Sequence, residues 1–170
     1  MIEQSGVTIT SCQTAFGWVG IASSPRGLFT LTLPQPTEDV ALKPLCRRWP
    51  RAGNADCPWL SDFKYKLRRY FLGEAVTFDK PLALAEATPF QRQVWLAVRK
   101  IPRGEVRSYG QIARQLNSSA RAVGRALASN PLPIVVPCHR VVGSDGSLVG
   151  FQGGLEMKRR LLEMENAHRH

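Results

Sequence analysis

Between residues 134 and 143 the chain reads IVVPCHRVVG, and one thiol, Cys138, stands between a proline and the pair His139-Arg140. Buried cysteines ordinarily behave as inert small hydrophobes. A nucleophilic cysteine needs thiolate character, which a basic neighbour, a cation or a helix N-terminus supplies. Pro137 predicts a short helical turn with Cys138 at its positive end, and His139 is a base one residue away. Adjacent side chains of an extended strand point to opposite faces. Contact between Cys138 and His139 therefore requires a turn or an intervening water. The residues alone leave two readings: a strand leaving the core, or a thiol that attacks. A Cys/His hydrolase is a further catalytic reading, but its two residues normally lie far apart in sequence. The other histidines, His168 and His170, sit at the extreme C-terminus.

Other residues near the thiol carry chemical potential. Gly150-Phe151-Gln152-Gly153-Gly154 is a glycine-rich loop whose bare backbone suits a pocket wall. It is not a phosphate loop, because no Gly-Lys-Ser/Thr follows. A final helix is predicted from Leu155 to Asn166 with Met157, Leu161 and Leu162 inward. Glu165 falls near that stripe; a buried acid needs a partner, with His139 a candidate, whereas a solvated, frayed helix end explains it as well. The four cysteines include no C-x-x-C pair, so no metal site is expected. Cys12, Cys46 and Cys57 read as structural, with a Cys46–Cys57 disulfide left open.

The elements that must position these groups are clear after residue 88. Thr88-Pro89-Phe90-Gln91 combines an N-cap, a proline at the first helical position and a capping-box glutamine. Val94, Trp95, Val98 and Ile101 continue its apolar face. Ser108-Tyr109-Gly110-Gln111 is a second box, and Ile112 and Leu116 form the apolar face of a short helix. A polar turn at 117–119 precedes a third helix, Ala120 to Ser129, ended by Asn130-Pro131. Two short helices joined by a tight turn make a helix-turn-helix, whose second helix typically reads DNA. Val123 and Leu127 face inward. Ala120, Ala122, Gly124, Ala126 and Ala128 leave the rest nearly bare, and close backbone approach is the expected compensation for Gly124. Arg121 and Arg125 project one turn apart. A surface of methyl groups offers few hydrogen bonds to base edges, so binding by shape and backbone with little sequence preference is predicted. Val141-Val142, the turn at 143–146 and Ser147-Leu148-Val149 read as a hairpin.

The first ~30 residues alternate as three strands of an antiparallel sheet. Residues 62–72 place Phe63, Leu67, Tyr70 and Phe71 at helical spacing. The predicted class is α/β in the α+β sense: a small antiparallel sheet domain with a helix over residues 1–80, a linker over 81–87, and a mainly helical domain over 88–170. The chain has 170 residues and a net charge of +10. Residues 88–143 hold 9 Lys/Arg against Glu105 alone, which suggests a polyanion partner. A solvated basic face or an anionic membrane surface explains the charge equally well. No apolar run approaches the ~20 residues of a membrane span, and the N-terminus lacks the basic and apolar regions of a secretory signal. A cytoplasmic protein is expected.

Pro137-Cys138-His139-Arg140-Val141 resembles the active-site motif of the O6-alkylguanine-DNA alkyltransferases, the methylated-DNA–protein-cysteine methyltransferases. Thr88-Pro89-Phe90-Gln91, Ser108-Tyr109-Gly110, Arg121-Ala122-Val123-Gly124, Asn130-Pro131 and Gly153-Gly154-Leu155 follow the same family's order and spacing. The resemblance covers residues 88–165 well and the first ~80 only in general character. It implies a DNA-repair protein that irreversibly takes an alkyl group from O6 of guanine, and by extension O4 of thymine, onto its own cysteine. No cofactor is implied. Cys138 would be the acceptor, His139 its activator through a water, and Glu165 the group that orients His139. Tyr109 would assist base extrusion and protonate the leaving guanine. Arg121 would enter the stack in place of the flipped nucleotide, and Asn130 would tie the reader helix to the active-site turn. Ala120, Ala122, Gly124, Arg125 and Ser108 would line the DNA, with the reader helix in the minor groove. Val141, Phe151, Gln152 and Gly153 would border the guanine. The implied partner is double-stranded DNA carrying the lesion, bound by a monomer, with cooperation between copies left open. Phe151 stands where many relatives have tyrosine, and Gln152 where some have serine.

Two other classes compete. Alkyltransferase-like lesion sensors lack the acceptor cysteine, which this chain has. A transcription regulator needs base-reading side chains on its reader helix, which this chain lacks.

Overall fold

The structure, a computed structural model, describes residues 6–54, 58–84 and 86–166. Cys57, and with it the Cys46–Cys57 pairing, lies outside the described residues, as do His168 and His170. The chain divides into two compact units, Met1–Glu86 and Ala87–His170. Among the described residues, no helix is long and apolar enough to cross a membrane.

The first unit is built on strands β1 (Thr8–Thr14), β2 (Gly17–Ser24) and β3 (Gly27–Leu31), antiparallel in that order. Val19 to Ser23 are all buried, because the central strand is covered on both faces. One cover is a helix absent from the sequence expectation, α1 (Glu38–Arg48). Pro44 in its interior removes a helical donor and hides the pattern. Thr37 caps it, Glu38 and Asp39 open it and Arg47 and Arg48 close it, the polarity that a helix dipole favours. It lies so close to β2 that a Cβ on Gly20 would meet the Ala41 carbonyl oxygen at 2.6 Å. Helix α2 (Pro58–Phe71) buries Phe63, Leu67, Tyr70 and Phe71 as the periodicity predicts. Its start is four residues earlier than expected. Leu28 of β3 bonds to Pro81 and Ala83, at 3.0 and 2.8 Å. The first residues of the expected linker are thus paired to the sheet.

The second unit comprises α3 (Pro89–Arg99), β4 (Arg107–Ser108), α4 (Tyr109–Gln115), α5 (Ala120–Ala128), β5 (Val141–Val142) and α6 (Leu155–Glu165). Both capping boxes form: Thr88 with Gln91, and Ser108 with Gln111. The turn between α4 and α5 is closed by Ser118 N–H to Ala113 O at 2.8 Å and Asn117 N–H to Arg114 O at 3.3 Å. Asn117 holds φ 52°, which asparagine tolerates. Helix α3 locks onto α5 through Trp95, whose Nε1 donates to Ala126 O at 2.8 Å.

Among the described residues, no backbone packs against Gly124, where the nearest atom that a Cβ would meet is Tyr109 Cε1 at 3.9 Å, so tight helix packing does not account for this glycine. Three local expectations are corrected. Ala126 is buried against α3 and is not part of the bare face. The turn after Val142 closes through Gly143 N–H to Ser147 O at 2.8 Å, but no second strand follows. Val141 and Val142 pair in parallel with Arg107 and Ser108, while the carbonyls of Val149 and Gly150 are engaged by side chains. On α6 the buried residues are Lys158, Leu161 and Glu165, with Met157 and Leu162 half-buried.

Candidate active site

The segment delivering Cys138 is set by Asn130. At 2% exposure, Asn130 uses both ends of its amide: Nδ2 donates to Val136 O at 3.1 Å and Oδ1 accepts from Leu132 N–H at 3.0 Å. The chain between must double back, and Ile134 takes φ 76° to do so. A β-branched residue there costs about 1–3 kcal/mol and persists only where its surroundings over-determine it. Cys138 N–H then donates to Val136 O at 2.7 Å across Pro137 (φ −78°, ψ 66°), an inverse γ-turn. Residues Cys138–Arg140 follow as one turn of 3-10 helix. The turn that a Cys-His pair requires is present.

Cys138, though 5% exposed, borders a pocket of about 730 Å³ whose wall includes Tyr109, Arg121, Gly124, Phe151 and Gln152. Burial pushes the thiol above its ordinary range, while Asn130 and the Lys158 cation pull it partly back. The resting thiol therefore holds its proton at neutral pH.

Behind it stands a buried polar group. His139 is 0% exposed, and its Nε2 lies 2.9 Å from Glu165 Oε2. Arg140 grips the same carboxylate with two bonds, Nε to Oε1 at 2.9 Å and an Nη to Oε2 at 2.8 Å, and donates to Ile101 O at 2.6 Å. Burial alone would raise the Glu165 pKa, but the hydrogen bond from His139 and the bonds and charge of Arg140 hold it well below the carboxylate range. Burial keeps His139 below its ordinary pKa, against the pull of Glu165. A neutral His139 donating from Nε2 to ionised Glu165 makes Nδ1 the proton-accepting nitrogen. The frayed-end reading of Glu165 does not survive this geometry. Sequence reasoning gave Arg140 no role beyond charge, although it lies within the motif.

On the opposite side, Tyr109 opens α4. Its hydroxyl donates toward Val149 O at 3.2 Å and Gly150 O at 3.3 Å. Burial, and then proximity to Cys138, raise its pKa, so the phenol remains a proton donor. Lys158 was absent from the sequence expectation. Its side chain is 0% exposed; Nζ donates to Val149 O at 2.8 Å and lies 5.7 Å from the Tyr109 ring centroid. Burial lowers its pKa to about 8. The available signal was its spacing, three residues before Leu161 and seven before Glu165 on one helix face.

The remaining expected residues fall in three places. Ala120, Arg121 and Gly124 line the pocket mouth along α5, with Arg125 exposed one turn beyond and Ala122 half-buried. Ser108 caps α4, its hydroxyl accepting from Gln111 N–H at 3.0 Å. Val141 is fully buried in β5, and neither it nor Gly153 borders the pocket.

A buried thiol thus borders a pocket, with a His–Glu–Arg chain behind it and the exposed residues of α5 beside it. Two family profiles match the chain. The ribonuclease-like domain of 6-O-methylguanine DNA methyltransferase covers residues 8–84, and its DNA-binding domain covers 89–167. A methylated-DNA–protein-cysteine methyltransferase of Mycolicibacterium paratuberculosis is 42% identical over 153 residues, 85% of this chain and 90% of the relative. The crystal structure of the Mycobacterium tuberculosis O6-methylguanine methyltransferase aligns with TM-score 0.78 and 37% identity, covering 96% of this chain and 95% of that one. The same organism's protein in complex with DNA aligns with TM-score 0.78, covering 95% and 94%. The chain belongs to the 6-O-methylguanine DNA methyltransferase family.

Proposed function

We propose that this protein repairs DNA by moving the alkyl group of an O6-alkylguanine onto Cys138, once per molecule. It is a methylated-DNA–protein-cysteine methyltransferase. The observation that carries this reading is the position of Cys138, at a pocket next to the exposed face of α5 and with a proton-accepting chain behind it. In this reading α4 and α5 act as a helix-turn-helix with α5 in the minor groove. A base in a duplex must leave the stack before its exocyclic oxygen is reachable, and Arg121 at the pocket mouth fills the gap. O4-alkylthymine offers the same kind of alkyl–oxygen bond and enters as a second substrate.

The residues divide the reaction into two proton movements around one displacement. His139, through a water, accepts the Cys138 proton, and Glu165 with Arg140 holds the imidazole in orientation. The sulfur lone pair forms a bond to the alkyl carbon as the carbon–oxygen bond breaks, with its electron pair passing to the guanine. Tyr109 gives its phenolic proton to that leaving group. Asn130 and Lys158 favour the thiolate against its burial. The product thioether has no hydrolytic route back, so turnover ends. The small side chains of α5 make few base-edge contacts, which supports binding with little sequence preference.

Intact-mass measurement and peptide mapping after incubation with an O6-methylguanine duplex test this directly. The expected result is one added methyl, confined to the Cys138 peptide, at one equivalent per protein, and absent in Cys138→Ala. Tight lesion binding without any mass change would instead make the protein a sensor.

A further inference from the structure

We propose that the Gln152 side chain is a positioning residue that clamps the glycine-rich pocket wall to the end of α5 and so sets the width of the pocket around the alkyl group. The inference rests on the alkyl-transfer reading and adds to it a residue whose side chain that reading does not use. Gln152 Nε2 donates to Ala128 O at 2.6 Å and Asn130 O at 3.1 Å, with Leu127 O at 3.5 Å. These are carbonyls at and just past the C-terminus of α5, the negative end of its dipole. The Leu127 oxygen also accepts from Asn130 N–H at 3.1 Å, so the two shorter contacts, to Ala128 and Asn130, are the ones the amide serves. A side-chain amide carries two hydrogens, matched here by the two shorter contacts. Turning the amide over would set its oxygen against three carbonyls, so the orientation is fixed by the surroundings.

Little else restrains this wall. Gly150, at φ 53°, and Gly154, at φ 86°, bracket residues 151–153 with permissive backbone. Val149 and Gly150 are held by Tyr109 and Lys158. Between the two glycines, among the described residues, the hydrogen bonds to another element come from the Gln152 amide. Its partner residue Asn130 also holds the Cys138 turn through its side chain. The end of α5, the acceptor turn and the pocket wall thus meet at one residue, and Gln152 closes the third connection. An angstrom of drift in that wall changes the angle at which an alkyl carbon meets the sulfur.

The test compares Gln152→Ala, Gln152→Glu and Gln152→Lys with the native chain. Glutamate keeps the shape but turns an acceptor toward carbonyls; lysine restores a donor. Single-turnover rates are measured on duplexes carrying O6-methylguanine or O6-benzylguanine, together with affinity for undamaged duplex. Alanine and glutamate should slow methyl transfer by about tenfold or more, up to the roughly hundredfold that a ~1 Å misplacement costs. Both should raise the benzyl-to-methyl rate ratio, alanine should leave undamaged-duplex affinity unchanged, and lysine should recover most of the native transfer rate and ratio. An unchanged rate and ratio in the glutamate variant would overturn the clamp. Equal losses of transfer and undamaged-duplex binding at a constant ratio would also overturn it, making Gln152 only a helix cap. If the native chain transfers nothing, the parent reading fails instead.

Discussion

At the scale of single residues, the ionised group behind Cys138 dominates. Glu165 has 1% side-chain exposure and depends on Arg140 for two of its bonds. Removing one partner of a buried ion pair costs about 3–5 kcal/mol. Arg140→Ala should lose that much stability in urea denaturation, and its methyl transfer should fall with the orientation of His139. The same group fixes a pH dependence. Glu165 titrates below its ordinary 4.5 in the fold, so its contribution is complete above 4.5 and is lost as pH falls. His139 titrates below its ordinary 6.5, so the unfolded chain binds its proton first and stability also declines as pH drops through 6.5. The urea midpoint should fall from pH 7.5 to 5.5 and again to 4. A midpoint unchanged over the first interval would mean that His139 keeps an ordinary pKa.

At the scale of elements, the cap of α4 is legible in sequence, and that of α5, read there only as part of a polar turn, is directly testable. Ser119 accepts from Ala122 N–H at 3.1 Å at the head of α5, where Arg121 occupies the first turn. Ser119→Ala should cost about 1 kcal/mol in denaturant unfolding, the usual worth of an N-cap. Duplex affinity should weaken with it, because a frayed first turn no longer presents Arg121. Ser119→Gly should cost only a few tenths of a kcal/mol. Equal destabilisation by the glycine and alanine substitutions would point to lost packing.

At the scale of the whole molecule, charge and chemistry can be separated. The net charge is +10, and phosphate contacts release counterions, giving log K a slope of about −0.9 per contact against log salt. Affinity for undamaged duplex should therefore drop steeply between low and moderate salt. Transfer to Cys138 from a free O6-alkylguanine base, which makes no phosphate contacts, should barely change. Equal salt sensitivity in both assays would place the salt effect on the site itself.

The sequence by itself determined what is encoded within one turn of backbone. The boxes Thr88–Gln91 and Ser108–Gln111 each form because donor and acceptor are three residues apart. The alternation of the first strands, four of the five buried residues of α2 and the proline before Cys138 are legible for the same reason. Helix α1 escaped because Pro44, a strong local signal, argues against a helix that tertiary packing on Gly20 nonetheless stabilises. The family resemblance supplied Glu165, which its own neighbours in sequence could not. Lys158, the double grip of Arg140 and the clamp by Gln152 were decided only by the tertiary structure. Each is a polar group whose worth depends on which carbonyl or carboxylate arrives from 8 to 25 residues away. Burial raises the cost of leaving such a group unpaired, so its partner, and with it its role, exists only once the chain has closed.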